Sequence, residues 1–192
     1  MRNKHRFTRT TLSIALGGLL TLIAGTAAAT TWDFESLQLG TQFVVGNFVN
    51  LPDADVQMKQ FLSGGVWLQN GVATVDDNNE AHGSGNQEIW FTNINASVIP
   101  DTPANFVSFL YADIGGPINF GCNGLELVEA SNFSDLDGEW VGGCEITVTV
   151  FGAGPYSNEY GEVIIEPGPG QTIEKFGIGG EEFFVDDLCI DC

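Results

Sequence analysis

Two pairs of closely spaced carboxylates hold most of the chemistry this sequence offers. Asp33 and Glu35 lie in Thr31-Trp32-Asp33-Phe34-Glu35, and Asp186 and Asp187 interrupt the apolar run from Phe183 to Ile190. An ionised aspartate in such surroundings is costly unless it finds donors or a cation. Strand alternation puts Trp32 and Phe34 on one face and Asp33 and Glu35 on the other. In many sandwiches the first and last strands are neighbours, which would bring Asp33 and Glu35 to Asp186 or Asp187. Three or four carboxylates converging without lysine or arginine make a hard-oxygen site. Ca²⁺, which takes about six to eight oxygens, is the cation that fits. The plainer alternative is that Asp186 and Asp187 point to opposite faces and are solvated at a strand end.

Asp77 to Glu88 offers a second oxygen-rich stretch, with Asp, Asn and Glu where a helix-loop-helix calcium hand has them. His82 stands where such a hand needs glycine and the flanks read as strands, so an ordinary exposed loop is expected. Sugar rings need a flat apolar platform with hydrogen-bonding neighbours. Trp140, Tyr156 and Tyr160 sit in loop-like sequence and are the candidate ligand-binding aromatics, whereas Trp67 and Trp90 lie in strand-like runs and read as core. Asn95-Ala96-Ser97 and Asn132-Phe133-Ser134 match the short glycosylation sequon. Residues 30–192 contain one histidine, His82, so a nucleophile triad or a two-histidine metal site has little to draw on. A glycosidase needs only two carboxylates on facing walls, and 25 acids single out no pair.

Arg2, Lys4, Arg6 and Arg9, an apolar stretch from Leu12 to Ile23 and the small residues Ala27-Ala28-Ala29 make residues 1–29 read as a signal peptide. Residues 30–192 then form a single domain that is secreted or periplasmic. No second long apolar run follows, so no membrane span is expected after cleavage. That domain holds only Lys59 and Lys175 against 25 acids, a net charge of −23. A surface this acidic disfavours nucleic acid, anionic membranes and acidic polysaccharides as partners.

Cys122, Cys144, Cys189 and Cys192 allow three pairings in an oxidising compartment. Cys122 with Cys144 and Cys189 with Cys192 is favoured, because the first pair flanks one glycine-rich excursion and the second is local. A redox role for the Cys189–Cys192 pair and zinc binding by the thiolates are the alternatives, though redox pairs of this spacing normally open a helix.

The elements that position these residues read as strands. Val66–Leu68 and Val72–Val75 flank a turn at Gln69-Asn70-Gly71, Phe106–Tyr111 is an apolar run of strand length, and Glu145–Phe151 alternates. Asp53 to Leu62 is the one weakly helical stretch. About eight to ten short strands at this spacing predict an all-β, two-sheet antiparallel β-sandwich of the jelly-roll kind.

Trp32-Asp33-Phe34-Glu35 with Leu37 and Gly40, then Gly83 to Ile89, then Gly177 to Glu182 leading to Phe184-Val185-Asp186-Asp187-Leu188, resembles bacterial exported jelly-roll domains. In plan these are similar to carbohydrate-binding modules of the galactose-binding-like and lectin kinds. The resemblance implies a structural calcium held by Glu35 and Asp187 first and Asp33 and Asp186 next. It also implies binding of neutral carbohydrate or another extracellular surface. A structural or adhesive acidic matrix protein and a two-carboxylate glycoside hydrolase are the competing expectations.

Overall fold

A computed structural model describes residues 30–77, 80–124 and 127–192. The expected signal peptide, residues 1–29, and Asn78 and Asn79 of the oxygen-rich loop lie outside the described residues. The chain is all-β and antiparallel, as its alternating runs predict. Its strands are β1 (Thr30–Trp32), β2 (Gln42–Val44), β3 (Phe48–Leu51), β4 (Ala54–Ser63), β5 (Val66–Leu68), β6 (Val72–Asp76), β7 (Glu88–Pro100), β8 (Val107–Cys122), β9 (Val128–Ala130), β10 (Trp140–Val141), β11 (Cys144–Gly152), β12 (Glu159–Pro167) and β13 (Phe176–Ile190). The main path of pairing runs β10-β11-β12-β8-β13-β7-β4-β3.

Three long central strands make the sandwich. β7, β8 and β13 run 13, 16 and 15 residues, and all three are interrupted at one level. On β7, Ile94 to Pro100 pair with β4 while Glu88 to Thr92 pair with β6, and Asn93 between them has φ 53°. Gly115 and Gly116 of β8 take positive φ at the matching height, where the β13 register shifts between Gly180 and Phe183. Such bulges bend a strand and let it serve both layers. Gly71 packs against the Asn93 carbonyl so closely that a Cβ would overlap it, which explains a glycine at that crossing.

Between the layers lies one large apolar cluster. Phe133, in a 3-10 turn at Phe133–Leu136, sits at its centre, with ring centroids 4.6 Å from Tyr111, 5.6 Å from Phe183 and 5.7 Å from Phe109. Each such fully buried ring contributes roughly 1.5–3 kcal/mol. The expected neighbouring of the termini is observed, with Thr30 opposite Ile190 and Trp32 opposite Leu188. Sulfurs of Cys122 and Cys144, and of Cys189 and Cys192, are at bonding distance, the favoured pairing.

Several expectations are corrected. Asp53 to Leu62 is not helical: Ala54, Val56 and Met58 alternate inward along β4, and ladders to β3 and β7 on both sides override a modest helical preference. β5 and β6 both exist but do not pair with each other, since β5 joins β4 and β6 joins β2 and β7. The strand expected over Thr31–Glu35 ends at Trp32, and Phe34 turns the chain with φ 58°. Tyr160 lies in β12 rather than in a loop.

Candidate functional site

The four acids of the terminal strands come together, but around a loop. Asp33 Oδ1 accepts the Glu35 N–H in a local turn. Glu35 Oε1 accepts the N–H groups of Asn86 and Gln87, the latter at 2.7 Å. Asp187 accepts the Ser84 N–H at 2.8 Å and also the Ser84 hydroxyl. Glu88, buried at the start of β7, accepts the N–H groups of Glu80 and Ala81, both at 2.8 Å. Three carboxylates thus clasp the described backbone of residues 80–87. Asp186 lies beneath Gly83, where a Cβ would run into its carboxyl, and one of its oxygens accepts the Asp187 N–H.

Burial raises the Asp186 pKa to about 8, helped by the neighbouring Asp187, Glu88 and Asp33 charges. Burial likewise lifts Glu88 to about 7, against the lowering effect of its two N–H donors. Burial thus favours the protonated form of Asp186, and Glu35 and Asp187 turn oxygens toward N–H donors of the loop. Among the described residues no group of three or more histidine, cysteine, aspartate and glutamate side chains is placed to hold a metal.

A further buried acid escaped sequence reasoning because it follows the apolar run of β8 just before Gly115-Gly116-Pro117, where the sequence reads as a turn. Asp113 of β8 is fully buried, and its carboxyl makes no well-formed hydrogen bond, the Gly115 N–H offsetting its burial only in part. Burial raises its pKa to about 7, with Glu159 of β12, directly across the ladder, adding to the effect. Glu159 in turn accepts hydrogen bonds from the Tyr111 hydroxyl at 3.0 Å and the Ser134 N–H at 2.9 Å.

The expected sugar-stacking aromatics do not converge. Trp140 is exposed opposite Glu145 at one end of β11, beside the acids Glu129, Asp135 and Glu139. Tyr160 sits opposite Gly152 at the other end and packs on His82 with centroids 4.5 Å apart. Tyr156 is exposed in the loop before β12, over a shallow hollow with Trp90 and Phe184.

The best-formed cavity, about 470 Å³, lies elsewhere, on the outer face of β4, β7, β13 and β8. Its volume falls within the usual range for small-ligand sites. Register builds its floor. Gln57, Ser97, Gly177 and Gly121 form one row across the four strands, and Lys59, Asn95, Gly179 and Asn119 the next. Alternation turns these residues away from the core, into which Met58, Ala96, Ile178 and Phe120 point. Because Gly177 and Gly121 carry no side chain, a trough is left between the flanking strands.

The β4–β5 hairpin rises over this face and is stapled to it by two asparagines. Asn119 Oδ1 accepts the Leu62 N–H and its Nδ2 donates to the Leu62 carbonyl, both at 2.8 Å. Asn95 Nδ2 donates to the Gln60 carbonyl at 2.6 Å and to Asn119 Oδ1 at 3.1 Å. The hairpin carries Trp67 to the groove wall with 49 % of its surface exposed, correcting its expected place in the core. Trp90, only partly buried, stacks on Phe184 at 5.8 Å.

Two buried polar atoms in the groove lack partners. Asn95 Oδ1 and Ser97 Oγ belong to residues only 2 % and 5 % exposed, and neither atom is hydrogen-bonded. A buried polar group left unsatisfied costs about 1–3 kcal/mol. The sequon at Asn95 thus marks a buried strand residue, not an exposed acceptor. At the far end Lys175 is placed by Asn123, whose N–H donates to the Lys175 carbonyl at 2.8 Å and whose Oδ1 accepts the Glu174 N–H at 2.7 Å. Lys59 and Lys175, the only basic side chains after residue 29, both line this one groove. Compared with known proteins, the chain matches no protein-family model and no curated protein.

Proposed function

We propose that residues 30–192 form an exported carbohydrate-binding module and that its ligand site is the Trp67 groove. The observation that carries the reading is Trp67, half exposed at the wall of a groove that is also lined by the polar residues Gln57, Gln60, Asn95 and Ser97. A sugar ring presents apolar C–H faces to an aromatic and hydroxyls to polar neighbours, and this wall and floor match those two needs. The two disulfides suit a secreted or periplasmic setting. No helix among the described residues is long and apolar enough to cross a membrane.

Isothermal titration against a panel of oligosaccharides tests the reading with two substitutions. Trp67→Ala is expected to weaken binding by on the order of 10- to 30-fold, the loss typical of an aromatic anchor. Gly177→Val is expected to block the trough while preserving the fold, since a Cβ there meets only Leu127 Cδ2 at 3.4 Å and the Ala96 carbonyl at 3.8 Å. Trp140→Ala should leave affinity unchanged. Binding that survives Trp67→Ala and Gly177→Val but is lost with Trp140→Ala would move the site to the β10 edge and overturn the assignment.

A further inference from the structure

Resting on the carbohydrate reading, we infer that the groove selects an acidic sugar, one bearing a carboxylate or sulfate, and that Lys175 receives the anionic group. In a domain carrying 25 acids and two lysines, random placement would scatter the lysines among carboxylates. Instead both border one cavity, on segments far apart in the sequence. Lys175 is half-buried, and among the described residues neither lysine is ion-paired. An ammonium at a groove wall with no ion-pair partner is available to an anion that enters the groove, through a charge-assisted hydrogen bond.

Position supports the division of labour. Lys59 stands in register with Asn95 on the side where the β4–β5 hairpin brings Trp67. Lys175 immediately precedes β13 at the opposite end, beyond the row of Gln57, Ser97, Gly177 and Gly121. A ring stacked on Trp67 therefore lies over Asn95 and Ser97, and the acidic group of the same or the next residue reaches Lys175. Asn123 is a positioning residue: it fixes the backbone of residues 172–175 through hydrogen bonds to Thr172, Glu174 and Lys175.

The net charge, which argues against long acidic polysaccharides, does not argue against a short acidic one. Screening confines surface charges to roughly 8 Å at physiological ionic strength. The ligand end inside the groove feels the lysines, whereas a long polyanion also meets the acidic surroundings. Short oligosaccharides with one acidic residue are the class this arrangement fits.

Calorimetric titration of the oxidised protein with matched pairs tests the inference. Each pair is a uronic-acid-bearing oligosaccharide and its methyl ester, or a sulfated oligosaccharide and its desulfated form. The expected result is at least one acidic member binding about 10-fold or more tightly than its neutral partner. That preference should vanish in Lys175→Gln, return in Lys175→Arg and fall in Lys59→Gln, with melting temperatures unchanged, because the Lys175 contacts to Asn123 are made by backbone atoms. Which kind of pair shows the preference identifies the anionic group. Equal affinity within every pair, sensitive to Trp67→Ala, overturns the acidic-sugar inference and leaves the carbohydrate reading standing. No binding by any member overturns both.

Discussion

Asp113, Glu88 and Asp186 hold carboxyl groups whose burial raises their pKa values to about 7, about 7 and about 8. In the unfolded chain these groups ionise near pH 4. Between that value and pH 7 to 8 the folded state keeps protons the unfolded state has lost, so stability must fall as pH rises through this window. The melting temperature is expected to be higher at pH 5 than at pH 8. Asp113→Asn, which removes a buried acid with no well-formed hydrogen bond, should flatten the decline. A melting temperature that rises from pH 5 to pH 8 would show these groups ionised in the fold. At this scale the sequence was informative about cost but not about remedy. The aspartate pair in an apolar run demands partners: the loop after β6 gives Asp187 its donors, and burial favours the protonated form of Asp186. Trp67 was misjudged for a different reason: Val-Trp-Leu has the look of a buried strand, and exposure of its indole depends on the hairpin leaving the main sheet at Gln60. The two lysines were plain in the composition, but their meeting required β4 and β13 to flank β7.

The loop between β6 and β7 depends on carboxylates from three separate segments. Glu35, Glu88 and Asp187 together accept the N–H groups of Glu80, Ala81, Ser84, Asn86 and Gln87. A charge-assisted hydrogen bond contributes about 1.5–3 kcal/mol. Asp187→Ala is therefore expected to release the Ser84 end and speed limited proteolysis between residues 80 and 87 by at least about 10-fold. Rates equal to those of the unsubstituted protein would mean that Glu35 and Glu88 suffice. Legibility was uneven among the elements too. The pairing of the first and last strands and both disulfides followed from the positions of their residues. The order of pairing around β5 and β6 did not, because Asn70-Gly71 signals a turn without naming the strands it serves. At β4 the apolar positions 54, 56 and 58 already carried the period of two, and the polar Gln57, Lys59 and Gln60 between them suggested a helix that two flanking ladders forbid.

Across the whole molecule, the groove and the carboxylate clasp lie at opposite ends of β13, Gly177 on the groove floor and Asp187 in the clasp. Apart from the bulge at Glu181, that strand is paired on both sides from Phe176 to Val185, with β7 and β8, and near its end with β8 and β1. Its amides therefore have no frayed edge through which to meet water. In hydrogen–deuterium exchange they should open only with the entire sandwich and share one free energy of opening. A saturating ligand in the groove raises that same free energy of opening by mass action. The slowing of exchange at Val185, far from the ligand, should then equal the slowing at Gly177 beneath it. Along a strand paired on both flanks, occupancy at one end is felt as rigidity at the other.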